Sequence, residues 1–174
     1  MTSNQDSVNS GDLQYAELHC LSNYSFLRGA SHPEELIATA KSLKYHAIAI
    51  TDECSMAGAV KAHVAAKTHQ VKLLIGSEFH LLDGIKLILL AKNRSGYGTI
   101  CHLISIGRRR ADKGEYELRL NDVPSMDDGV AVIWLPDIHD LDSQWALAKR
   151  LHSHFERHLY IGSELGVDGL DHIR

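Results

Sequence analysis

From Tyr15 onward, short apolar runs alternate with amphipathic stretches, a pattern that predicts strands and helices in turn. Met1 to Gln14 is polar, rich in Ser, Asn and Asp, has no apolar period, and reads as a disordered leader. Tyr15–His19 suits a strand. Ser31-His-Pro-Glu34 fits a capping box with Pro in the first helical turn, and Leu36, Ile37, Ala40 and Leu43 fall on one face of the helix behind it. His46–Thr51 is a short apolar run, as in a strand covered on both faces. The next helix puts Ala59, Val60, His63 and Val64 on one stripe. Lys72–Phe79 and Ile85–Leu90 are strands joined by a tight turn at Asp83-Gly84. A helix over about Gly96–Arg109 follows, carrying Tyr97, Ile100, Cys101 and Ile104. A loop with Pro124, Asp127, Asp128 and Gly129 leads to the strand Val130–Leu135, the helix Ser143–Phe155 and a last strand at His158–Ile161. No internal repeat is visible.

This alternation with short loops predicts an α/β fold with a mainly parallel sheet, doubly wound or closed into a barrel. In barrels of this type, chemistry gathers at strand C-terminal ends. Those ends here hold His19, Asp52-Glu53, Glu78 and Pro136-Asp137.

Composition narrows the class. The chain has 174 residues, 44% of them hydrophobic, enough for one sizeable core. The apolar stretch Ile85–Ala91 is interrupted by Lys86 and is too short to span a bilayer. No signal peptide opens the chain, and three cysteines without CxxC spacing fit a reduced, cytoplasmic protein. The formal net charge of -4 argues against a main DNA-gripping surface. The basic run Arg108-Arg-Arg110 reads as a solvated helix end. Histidine changes the picture: twelve are present, which raises the question of metal.

Glu17-Leu-His-Cys-Leu-Ser-Asn-Tyr-Ser-Phe-Leu-Arg-Gly-Ala-Ser31 and Ala49-Ile-Thr-Asp-Glu53 resemble the first two motifs of the polymerase-and-histidinol-phosphatase (PHP) domain. Ile75-Gly-Ser-Glu-Phe79 and Leu89-Leu-Ala-Lys-Asn-Arg-Ser-Gly-Tyr97 resemble the next two blocks. With Arg108-Arg-Arg-Ala-Asp-Lys-Gly-Glu-Tyr116 they resemble the error-prone branch of the C-family DNA polymerases, the family of the DNA polymerase III alpha subunit. The likeness runs from Tyr15 to Arg174, several blocks in the right order. It implies a distorted PHP-type β/α barrel over 15–174, incomplete at its C-terminus and ending before the last metal motif, an Asp-x-His that Asp171-His172 does not match. It further implies a parent nucleotidyltransferase acting in DNA replication and repair of damage, with palm, thumb and fingers downstream. DNA and deoxynucleotides would be bound, with magnesium, by those parts. Other polymerase domains would pack on this one, no membrane would be involved, and the truncated fragment could self-associate.

Active members of the family bind up to three metals through His, Asp, Glu and Cys, and use them to generate hydroxide and neutralise phosphate. By that resemblance His19 and Glu78 match ligands, and Glu53 stands where a histidine is usual. Leu21, Arg28, Lys86 and Pro136 stand at the other ligand positions. His19, Glu53 and Glu78 are therefore read as a vestigial metal set, with no catalytic residue and no cofactor bound by this fragment. His19 equally suits a hydrogen-bonded core histidine, and Glu78 an acid paired with Arg28 or Lys86. These two cations are read as charge compensation, Arg28 foremost because its planar fork can pair bidentately with a carboxylate. His32, His63, His69, His80, His102, His152 and His154 match no family ligand position. The resulting expectation is a noncatalytic scaffold within an error-prone, damage-tolerant DNA polymerase. An active metal-dependent phosphoesterase and a free-standing interaction module are the alternatives.

Overall fold

A computed structural model describes residues 14–125, 128–137 and 141–163. The leader as far as Leu13, Asp127 and the Asp171-His172 pair lie outside the described residues.

The elements in chain order are β1 (Ala16–Glu17), α1 (Pro33–Ser42), β2 (Ala47–Ile50), α2 (Ala59–His69), β3 (Lys72–His80), β4 (Lys86–Ala91), α3 (Arg94–Arg110), β5 (Val130–Leu135), α4 (Leu141–Phe155) and β6 (Leu159–Ile161). The six strands form one curled, half-barrel sheet in sequential order. β1, β2 and β3 run parallel, β4 is antiparallel to both β3 and β5, and β6 is parallel to β5. The sheet is therefore more mixed than the alternation predicts. The cause is the tight turn: residues 81–85 are too few for a crossover, so β3 and β4 must form a hairpin, with Gly84 at φ 75°. That hairpin matters for the site, because it returns Lys86 to the end of the sheet where His80 leaves it.

β4 is a nearly continuous apolar strand because both its faces are covered. Leu87 and Leu89 pack with Val132 and Trp134 against Ile100 and Leu103 of α3 and Leu151 and Phe155 of α4. The alternate residues Ile88 and Leu90 pack with Ile133, Leu135 and Ala49 on the other face. The period of two along each strand sorts the residues between the two cores.

On the remaining flank, α1 and α2 cover Ile48 and Ile50 with Ile37, Ala40, Ala62, Ala65 and Ala66. This corrects the helical stripe read from sequence. Val60 and Val64 are 73% and 61% exposed, His63 is exposed, and it is the alanines that face inward. Small side chains let α2 lie close to α1, and that close packing outweighs the larger hydrophobicity of the two valines. Leu43, likewise, is exposed just past the end of α1. The capping carboxylate is Glu35, accepting from the His32 amide at 2.8 Å, one residue later than the box read from sequence.

α3 begins two residues earlier than its apolar period, because the Asn93 side chain accepts from the Gly96 amide at 2.9 Å and caps it. A Cβ at Gly96 would lie 1.8 Å from the Gly129 carbonyl oxygen, at the entry to β5. That neighbour is backbone and cannot rotate away. Gly96→Ala is expected to cost about 2–3 kcal/mol of stability through overpacking, read as a lower urea midpoint with an unchanged m-value.

Candidate functional site

The site lies at the end of the sheet where β2 and β3 finish and β4 begins. Beyond β2 the chain stays extended for a few residues, and Glu53 forms a parallel bridge with Glu78. Two carboxylates are thus set side by side by backbone pairing alone. Glu78 belongs to β3 itself, not to a loop after it. His80, two residues on, shares its face of the strand.

Glu78 is completely buried. Its Oε2 meets His19 Nε2 at 2.5 Å and has the Lys86 ammonium at 3.6 Å. Its Oε1 accepts from Arg28 Nη1 and meets His80 Nε2 at 2.7 Å. The same Arg28 Nη1 donates to Glu53 Oε2 at 2.6 Å. Arg28 therefore bridges the two acids through one nitrogen, where the sequence reading expected a bidentate fork on a single carboxylate. Glu53 Oε1 accepts from the Tyr116 hydroxyl at 2.9 Å, and that hydroxyl accepts from the His80 amide at 2.7 Å. The network closes on itself.

Burial pushes the Glu78 carboxyl up, but the hydrogen bonds from His19, His80 and Arg28, with the charge of Lys86, outweigh it. The group is held far below the usual carboxylate range. Glu53 follows the same logic: burial raises it, and Arg28 and Tyr116 bring it below its ordinary value. Burial lowers Arg28, yet its two carboxylate partners raise it overall, so it stays charged. Burial and Glu53 push the Tyr116 phenol up, against the His80 amide, which lowers it.

Asp52 does something else. Buried beside the site, it accepts from the Ser22 amide at 2.8 Å, the Ser22 hydroxyl at 2.7 Å and the Ser25 hydroxyl at 2.8 Å. Ser25 Oγ also accepts from the Glu53 amide at 2.9 Å. A Cβ at Gly29 would sit 2.0 Å from the Ser22 carbonyl oxygen, so residues 22–29 fold tightly onto themselves. Asp52 is the anchor of the loop that aims Arg28.

The structure thus brings together His19, Glu53, Glu78, Arg28 and Lys86. It adds two residues the sequence reading left out. His80 was set aside for matching no family position, although the i, i+2 spacing from Glu78 on a strand would have placed it here. Tyr116 comes from a distant loop held by Arg108, which donates to the carbonyls of Cys54 and Gly114 and lies over the Tyr116 ring at 5.3 Å. The basic run is accordingly no simple solvated end: Arg108 is structural, and Arg110 pairs with Asp122 at 2.6 Å.

Glu53, Glu78 and His80 each offer one donor atom, all within 4.8 Å of one another, a possible three-ligand set for one ion. A multinuclear cluster does not fit. Leu21 and Pro136 offer no donor atom, and Arg28 and Lys86 bring positive charge to the buried carboxylate.

A family model for the PHP domain matches residues 17–161. The chain belongs to the PHP domain family. This PHP domain is 52% identical over 143 residues to an error-prone DNA polymerase of Dechloromonas aromatica, a match covering 78% of this chain and 14% of that protein. It is 51% identical over 167 residues to an error-prone DNA polymerase of Methylococcus capsulatus, covering 95% of this chain and 16% of that protein. The chain therefore spans about one-seventh of the length of these curated relatives. Among solved structures, an amidohydrolase from Chromobacterium violaceum superposes with a TM-score of 0.56 at 15% identity, covering 90% of this chain and 89% of that one. At that identity the likeness shows the fold, a PHP-like β/α barrel.

Proposed function

We propose that this PHP domain is a noncatalytic scaffold within a cytoplasmic, error-prone, DNA-directed DNA polymerase used in damage-tolerant synthesis. One observation carries the scaffold reading: the Arg28 guanidinium sits between Glu53 and Glu78, with Lys86 behind, where a metal-dependent hydrolase needs cations it can exchange. The site's charges are neutralised by side chains that cannot activate water. The polymerase reading is supported by the names and the identity of the relatives. Nucleotidyl transfer, DNA and deoxynucleotide binding and the magnesium that serves them then belong to parts of the parent beyond this domain. No helix among the described residues is long and apolar enough to cross a membrane.

A second reading has its own observation. The three converging donors of Glu53, Glu78 and His80 would suit a single divalent ion if Arg28 swung away, and a residual phosphoesterase activity would follow. Titration with zinc or manganese separates the two. The scaffold reading expects less than about 1 °C change in melting temperature, because no site is available to link binding to folding, and no hydrolysis of a model phosphodiester. Stoichiometric metal by elemental analysis, with a rise in melting temperature, would give the answer to the second reading.

A further inference from the structure

The loop that aims Arg28 carries an unexplained feature at its tip. Phe26 and Leu27 are 84% and 90% exposed, adjacent in sequence. Leu27 also has φ 62°, a left-handed conformation that a branched side chain rarely adopts. Single exposed apolar residues are ordinary. Here two large ones stand together on a loop whose base is fixed: Asn23 N donates to Ser31 O at 2.8 Å, Arg28 N and Gly29 N to Ser25 O at 3.0 and 2.9 Å, and Ser22 and Ser25 to Asp52. The tip is held out rigidly.

We propose that Phe26 and Leu27 form a knuckle that docks into an apolar recess of the polymerase body of the same chain, outside residues 1–174. This rests on the reading above that the domain belongs to a longer polymerase. The choice of occupant follows from magnitude. Burial of two such side chains supports, by itself, a dissociation constant on the order of millimolar. That is too weak for an independent partner or for a second copy at ordinary protein concentrations. It is sufficient for a tethered body, whose effective concentration is itself on the order of millimolar. The length outside this chain is ample, since the match spans only 14% and 16% of the two relatives. A convex tip also needs a concave receptor, which an isologous contact of knuckle on knuckle does not supply. Because Arg28 follows Leu27 directly, docking would bear on the same loop that holds the Glu53–Glu78 pair.

The test uses the full-length parent with a photo-crosslinking phenylalanine derivative at position 26, and at exposed position 60 as a control. Irradiation is expected to join position 26, not position 60, to a peptide beyond residue 174 of the same chain, with a yield unchanged on hundred-fold dilution. A Phe26→Ser, Leu27→Ser double variant is expected to be cut by protease between the domain and the body about ten-fold faster. Crosslinks confined to residues 1–174, to a second copy or to DNA, or no crosslink at all, would overturn the proposal. Templated synthesis is measured on the same preparation. Synthesis without the crosslink sinks the docking and leaves the polymerase reading standing, whereas a parent without a polymerase body sinks both.

Discussion

Arg28→Ala is expected to destabilise the domain by about 2–4 kcal/mol, an effect lessened from the usual cost of breaking a buried ion pair because Arg28 is about one-third exposed. The guanidinium serves two acids at once. Without it Glu78 keeps His19, His80 and Lys86, but Glu53 keeps Tyr116 alone among the side-chain donors described for it, and the two carboxylates face one another with the bridging cation gone. Arg28→Lys restores charge without the planar, rigid reach needed to touch Glu53 and Glu78 together, and is expected to recover less than half of the loss. The informative measurement adds zinc or manganese to each protein. In Arg28→Ala the Glu53, Glu78 and His80 donors are relieved of the competing cation, so metal is expected to raise its melting temperature while leaving that of the unmodified domain unchanged. Equal stability of Arg28→Ala and the unmodified domain would remove the arginine from its place at the centre of the site.

Much of this site was legible because its residues stand on strands, where spacing in sequence translates directly into spacing in space. The apolar runs before Glu53 and Glu78 place both acids at the same end of a sheet, and the turn at Asp83-Gly84 returns Lys86 to that end. Two kinds of feature were not legible. One is the identity of a helix's buried face: α2 turns alanines inward and valines outward because the spacing to α1 sets what fits, and a hydrophobicity pattern carries no information about that spacing. The other is the role of loop residues. Tyr116 reaches Glu53 only because Arg108, on α3, gathers the carbonyls of two separate loops beneath its own guanidinium. Nothing in the sequence near Tyr116 marks it. His80 is an intermediate case, readable from the strand period but passed over because the family pattern was consulted first.

Glu78→Gln is expected to cost the domain several kcal/mol at neutral pH, and the gap between variant and parent is expected to close as the solution is acidified. The sign follows from the carboxyl's depressed folded value. An unfolded glutamate titrates near about pH 4.3. Above that, the carboxylate is ionised in both states, and its pairing with His19, Arg28, His80 and Lys86 contributes in full to the folded state. As pH falls through about 4.3 the unfolded chain takes up a proton that the folded chain refuses, so the contribution shrinks with each further step toward acid. Glutamine has no proton to take up. It also leaves Arg28 and Lys86 facing a neutral amide in a buried place, which is why the deficit at pH 7 exceeds that of losing an exposed ion pair. Urea denaturation of both proteins between pH 7 and pH 3 measures the difference directly. A deficit that stays constant across that range would mean that Glu78 is not ionised at neutral pH, and the charge network built around it would have to be discarded.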